Sequence, residues 1–389
     1  MLKPTNIPLS LYIHIPWCEK KCPYCDFNSH LARTEINEPA YIDALLHDFE
    51  QDLATFSTSL ENRKISTVFI GGGTPSLFSP NSFARLLNGL KSYLATGAEI
   101  TLEANPGSSE VKKFIGFRKA GVNRLSIGIQ SFNQQHLTSL GRVHSASEAS
   151  SAAEYAKRAG FDNFNLDLMF GLPSQTMEES VDDVRQAIKL EPSHLSCYQL
   201  TIEPNTLFHH SPPVTPDDEC LWEMQTAVQS ELAGAGFQQY EISAYAQNGQ
   251  TCQHNLNYWN FGDYLGIGAG AHGKITDPAG RISRTWKIKH PATYLKAAQQ
   301  RASLTGGIEQ IEDHQVAFEF MMNALRLHEG FNIDLFKQRT CLSSNMLDQQ
   351  LSLHQQQGLV SINDKKIRPT ARGREMLDSM LQDYLLEVS

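Results

Sequence analysis

Short apolar runs alternate with longer stretches of helical period through the first half of the chain. The runs are Leu9–Pro16, Ile65–Gly71, Glu99–Ala104, Arg124–Gln130, Asn163–Met169 and His194–Ile202. Each is bounded by Gly, Pro, Asn or Ser and reads as a buried parallel strand. Between them, Tyr41–Phe56, Ser82–Leu94, Glu110–Ala120, Ser147–Arg158 and Glu178–Leu190 carry the 3.6-residue beat of helices. Pro80-Asn81-Ser82 and Pro106–Ser109 are helix starts, and Ala120-Gly121 and Ala159-Gly160 are stops. Six strand–helix units in a row predict an α/β fold with a parallel sheet, either open or curled into a partial barrel.

After about residue 205 the rhythm changes. Pro212, Pro213 and Pro216 precede a helical stretch, Asp217–Ala235. Strand-like pieces rich in Gly and aromatics follow around Tyr240–Tyr245, Leu265–Ile267 and Arg281–Ile288. From about Glu312 the pattern is helical again, and it closes on Gly358–Ile362, the turn Asn363-Asp364, Lys365–Arg368 and a last helix from Gly373. The expected division is a six-unit partial barrel over 1–205, a mixed α/β extension over 206–305 and a small helical, winged unit over 306–389.

Composition narrows the function. The formal net charge is −9, which argues against broad nucleic-acid binding, because a phosphate backbone needs a basic face. No stretch approaches the roughly 20 apolar residues of a membrane span. The run Leu9–Trp17 leads into Cys18 with no small-residue cleavage site and reads as a strand, so a cytoplasmic protein is expected. In a reducing compartment seven cysteines are not a disulfide framework. Cys197, Cys220, Cys252 and Cys341 are scattered singly, whereas Cys18, Cys22 and Cys25 fall within eight residues.

This cluster sits just past the first strand, at the edge where α/β folds keep their chemistry. Three thiolates can hold three corners of an iron–sulfur cube and leave the fourth iron open. A zinc site is the alternative, with His14 or His30 as the fourth ligand, although the three-then-two spacing is not the usual paired arrangement. Gly71-Gly72-Gly73-Thr74-Pro75 follows the second strand and offers backbone groups to a closely approaching ligand.

With Tyr24 just before the last cysteine, this combination resembles the radical S-adenosylmethionine (SAM) superfamily. Tyr12–Cys18, Gly71–Pro75, Gly128–Phe132, Leu140–Arg142 and Asn165–Pro173 resemble its coproporphyrinogen dehydrogenase branch over most of the chain. The resemblance implies a 4Fe–4S cluster on Cys18, Cys22 and Cys25. It also implies a SAM pocket at Tyr12, Tyr24, Gly72, Gly73, Thr74, Glu103, Gln130, Arg142 and Asp167, with Thr201 as a looser match. The residue types suit the ligand: Glu103 and Asp167 can accept from an ammonium or ribose hydroxyls, Arg142 can pair a carboxylate, and Tyr24 can pack on adenine.

Two functions compete within that branch: the oxygen-independent dehydrogenase of heme synthesis, and the HemW type, a heme chaperone. The dehydrogenase has a further cysteine where this chain has Phe27, and a long N-terminal extension where only eleven residues precede Tyr12. His254-Asn-Leu-Asn-Tyr258-Trp259 matches the His-Asn-x-x-Tyr-Trp motif proposed for heme contact in the HemW type. Resemblance thus implies a heme carrier more than an enzyme, with His254 as axial ligand, Tyr258 and Trp259 packed on the macrocycle, and heme-accepting proteins as partners. Cys252 and His272 are rival ligands. The basic run Lys365-Lys366-Ile-Arg368 is the candidate face toward an anionic membrane or a membrane-bound acceptor.

Overall fold

The six apolar runs form six parallel strands that lie side by side in chain order: β1 Leu9–Ile15, β2 Ile65–Gly72, β3 Leu94–Ala104, β4 Arg124–Gln130, β5 Phe164–Phe170 and β6 His194–Gln199. The computed structural model describes residues 6–385. β1 and β5 are buried over nearly their whole length, which is why they read as continuous apolar runs. Outside the strands lie the crossover helices, among them Glu38–Thr55, which inserts Tyr41, Leu45 and Phe49 into the core shared with β1 and β2.

Local chemistry sets the helix starts. Thr176 accepts from the Glu179 N–H while Glu179 reaches back to the Thr176 N–H at 2.9 Å, and Ser145 with Glu148 repeats the arrangement. The expected helix Glu110–Ala120 is instead two, Ser108–Val111 and Phe114–Ala120. At the break Lys113 turns its ammonium to the carbonyls of Ser76 and Leu77, at 2.9 and 2.7 Å.

The strands after residue 205 extend the same sheet at both edges. β7 Gln238–Gln239 and β8 Ala244–Ala246 continue it antiparallel beyond β6. At the other edge β9 Asp263–Ile267 lies parallel against β1, pairing Leu9 with Asp263 and Ile13 with Ile267. β10 His272–Thr276, β11 Ile282–Lys287 and β12 Thr305–Gln310 then run antiparallel. β1, the strand that leads to the cysteines, is therefore hydrogen-bonded on both sides. The fold is α/β, built on one mixed sheet.

The C-terminal region is helical with a small wing. Val360–Asn363 and Lys366–Pro369 form the hairpin and Phe331–Asn332 adds a third strand. Its core gathers round Phe320, with ring centroids of Phe331 and Phe336 each at 5.1 Å. Phe261 joins it at 5.7 Å and ties it to the sheet. The basic run on the wing is largely neutralised: Lys365 pairs with Asp334, and Lys366 and Arg368 both pair with Glu329. No helix among the described residues is long and apolar enough to cross a membrane.

Candidate functional site

Trp17–Cys18 pairs with His30–Leu31 as a two-residue ribbon, and the loop between carries Cys22 and Cys25. The loop is pinned at its base by His30 N–H to the Pro16 carbonyl at 2.7 Å and Ala32 N–H to the Cys18 carbonyl at 2.9 Å. Cys18 is buried, Cys22 and Cys25 are half-buried, and all three are free thiols. Among the described residues no group of three or more His, Cys, Asp or Glu is placed to hold a metal ion. His14, considered as a zinc ligand, has both ring nitrogens engaged, one with the Tyr12 hydroxyl at 3.0 Å and one with the Asn28 carbonyl at 2.9 Å.

The glycine loop fits under this ribbon. Gly73 donates to the Ile15 carbonyl and Thr74 to the Trp17 carbonyl, both at 2.7 Å. A Cβ at Gly73 would sit 2.5 Å from the Trp17 oxygen, and Gly72 holds φ +117° with His14 at the same separation. Only glycine satisfies both the close approach and the backbone angle.

Cys18, Cys22, Cys25, Tyr24, Gly72, Gly73, Thr74, Glu103, Gln130, Arg142, Asp167 and Thr201 all line one cavity of ≈ 890 Å³. Glu103, on β3, accepts from the Gly72 N–H at 3.0 Å. Desolvation and the neighbouring Asp167 push its carboxyl up to about 8. Asp167, on β5, accepts from Ser126 at 2.9 Å and Asn165 at 2.8 Å, and burial raises its carboxyl despite those bonds. Arg142 donates to the Gly128 carbonyl at 2.9 Å and to Asn105 at 2.7 Å, and its Nη1 lies 3.7 Å from the Cys22 sulfur. The Arg142 Nε is buried with no partner among the described residues. Gln130 accepts from the Tyr198 hydroxyl at 2.8 Å, and Tyr24 packs near Phe208.

Tyr12 and His254 are not part of this lining. Tyr12 stacks with Phe69 and donates or accepts at His14. His254 sits 1% exposed on the helix Gln253–Trp259, which packs against β1 and β2. Its Nδ1 bonds Thr67 and its Nε2 bonds the Tyr258 hydroxyl, each at 2.9 Å, so neither nitrogen is free for iron. Desolvation and the Arg124 charge hold its ring down at about 3, a neutral core imidazole. Of the motif's named aromatics only Trp259 reaches the cavity, while Tyr258 and Trp259 both line a smaller one of ≈ 240 Å³. Cys252 is buried against Glu99, and His272 lies exposed on β10.

Asn105 and Tyr198, which hold Arg142 and Gln130, were not marked by the sequence pattern. Asn105 follows β3 two residues after Glu103, and Tyr198 alternates with Ser196 on β6, so strand periodicity could have found both. Arg326 also lines the cavity, from a C-terminal helix end that no motif points to.

A three-cysteine loop past the first strand, a glycine loop past the second and carboxylates on the third and fifth facing one cavity define a radical SAM protein. A Radical SAM superfamily profile matches residues 12–187, and a HemN C-terminal domain profile matches 311–376. The chain is 50% identical to the heme chaperone HemW of Haemophilus influenzae, covering 98% of each chain. It is 48% identical to the heme chaperone HemW of Escherichia coli K12, covering 98% of this chain and 99% of that one. Among solved structures, coproporphyrinogen III oxidase (HemN) of Escherichia coli superposes with a TM-score of 0.81 at 22% identity, over 98% of this chain and 90% of that one. The chain belongs to the HemW family of the radical SAM superfamily.

Proposed function

We propose that this protein is a cytoplasmic heme chaperone that carries a SAM-ligated 4Fe–4S cluster, binds heme and passes it to acceptor proteins, membrane-bound ones among them. The observation that carries the reading is the end-to-end match, near half identity, to proteins named heme chaperones. The likeness to the oxidase speaks for the fold alone.

The donor set suits the cofactors. Cys18, Cys22 and Cys25 would hold three irons, and the Arg142 cation beside Cys22 offsets the charge of a thiolate-bound cluster. When bound, the cluster would supply one iron free of protein ligands beside the SAM contacts. Glu103, already hydrogen-bonded to the glycine loop, is assigned to the SAM ammonium, and Asp167, fixed by Ser126 and Asn165, to the ribose hydroxyls. Arg142 pairs with the SAM carboxylate.

The Glu103 assignment makes SAM affinity depend on pH. In the free protein Glu103 keeps its proton up to about pH 8, whereas a bound ammonium favours the carboxylate, so binding releases a proton. SAM should therefore bind more tightly as pH rises from about 6 to about 7.5, approaching tenfold per pH unit. Glu103→Gln should weaken binding by about ten- to a hundred-fold, the worth of a charge-assisted hydrogen bond of roughly 1.5–3 kcal/mol, and flatten the profile. Calorimetry on the cluster-loaded protein measures both. A steep profile that survives the substitution assigns the proton elsewhere.

Chaperone and dehydrogenase separate in one preparation. The anaerobically reconstituted protein should bind heme stoichiometrically by absorption titration. It should leave coproporphyrinogen III undecarboxylated in the presence of SAM and a reductant. Formation of protoporphyrinogen IX would restore the dehydrogenase reading.

A further inference from the structure

Two residues of the cavity wall come from outside the first 203 residues: Trp259, which ends the helix Gln253–Trp259, and Arg326, just past the helix Asp313–Ala324. They touch. The guanidinium carbon of Arg326 lies 4.2 Å from the centroid of the Trp259 ring system. One Arg326 nitrogen donates to Glu241 at 3.1 Å, and the buried Glu241 carboxylate is itself held by the Ser243 N–H and hydroxyl, both at 3.0 Å. The Arg326 Nε and the Trp259 indole nitrogen are buried with no hydrogen-bond partner among the described residues. A guanidinium set over an indole and anchored at one nitrogen by Glu241 is a preorganised receptor for a carboxylate on a planar ligand.

Charge placement points the same way. The other cationic side chains of the lining are Lys20, on the cysteine loop, and Arg142, held by Asn105 and Gly128 beside Cys22 and already assigned to the SAM carboxylate. Arg326 is the cation that the C-terminal region brings to the cavity. Only one Arg326 nitrogen is given to Glu241, and the side chain stays 29% exposed at the cavity wall, so a carboxylate there can take a charge-assisted pair.

We infer that Arg326 is the carboxylate-reading residue of the cavity: it ion-pairs a propionate of the heme while Trp259 packs on the adjoining ring. This rests on the heme-carrier reading and adds to it a residue that selects for ionised side chains on the macrocycle. Glu241 is a positioning residue, holding the guanidinium against the indole.

The test compares heme with its dimethyl ester, which keeps the macrocycle and iron and removes both carboxylates. Each is titrated into the full-length protein and into Arg326→Gln and Arg326→Lys, followed by absorption. The wild-type protein should prefer heme by at least about tenfold. Arg326→Gln should lower heme affinity by about ten- to thirty-fold with the ester unchanged, and Arg326→Lys should fall between, because a point charge lacks the stacked, forked donor set. An unchanged heme-to-ester ratio in Arg326→Gln overturns the inference while leaving heme binding in place. Equal wild-type affinities for the two ligands overturn it without recourse to any variant, even one that fails to fold. No heme binding by the wild-type protein removes the carrier reading itself, and this inference with it.

Discussion

Alanine at Cys18, Cys22 or Cys25 should strip nearly all cluster iron and sulfide from the anaerobically reconstituted protein, while alanine at Cys220 or Cys341 leaves both at wild-type levels. The three thiols share one short loop on one cavity, and a cube with only two thiolates is held poorly. Cys341 is exposed and Cys220 half-buried, so both are mild controls. Cys252 and Cys197 are buried in the core and would confound cluster loss with unfolding. Iron and sulfide assays on Cys22→Ala decide the matter, and wild-type content in that variant sinks the assignment. Arg142 is a poorer probe of SAM binding than Glu103, because its nitrogen lies 3.7 Å from the Cys22 sulfur and its loss would disturb cluster and ligand together.

The largest loss of stability should come from Asp263→Ala, at about 3–5 kcal/mol, the cost of leaving buried charges without their partner. Asp263 opens β9 and is fully buried. Its carboxylate takes Arg63 and Lys274, each at 2.9 Å, together with the Thr276 hydroxyl at 2.8 Å. Lys274 and Arg63 are themselves 1% and 2% exposed in their side chains, so two cations would lose their counter-charge in a site closed to water. The same variant should loosen β9 against β1, the strand that carries the cysteine loop. By comparison, Arg185→Ala breaks the exposed Arg185–Glu231 pair and should cost under about 1 kcal/mol. Denaturant midpoints of the three proteins test the contrast. Equal midpoints for Asp263→Ala and wild type would mean that the network contributes nothing net.

Sequence alone determined the six strand–helix units, the winged C-terminal region and the cysteine and glycine loops. These are local: an apolar run bounded by turn residues, a capping box or a left-handed glycine is decided within a few residues. Where the later strands join was not local. The segment at Asp263 is short and unremarkable in sequence, and it lies against β1 because the buried Arg63–Asp263–Lys274 group and the register Leu9 to Asp263 select that partner over some 250 residues of chain. The motif at His254 shows the same division. Its spacing was legible, but on a helix residues four apart share a face, so His254 and Tyr258 bond each other in the core. Trp259, one residue on, is rotated by about 100° and reaches the cavity. Which face of that helix meets the barrel, and that Arg326 folds over to cover Trp259, only the tertiary structure decided, because both depend on contacts between segments that carry no mark of each other in the sequence.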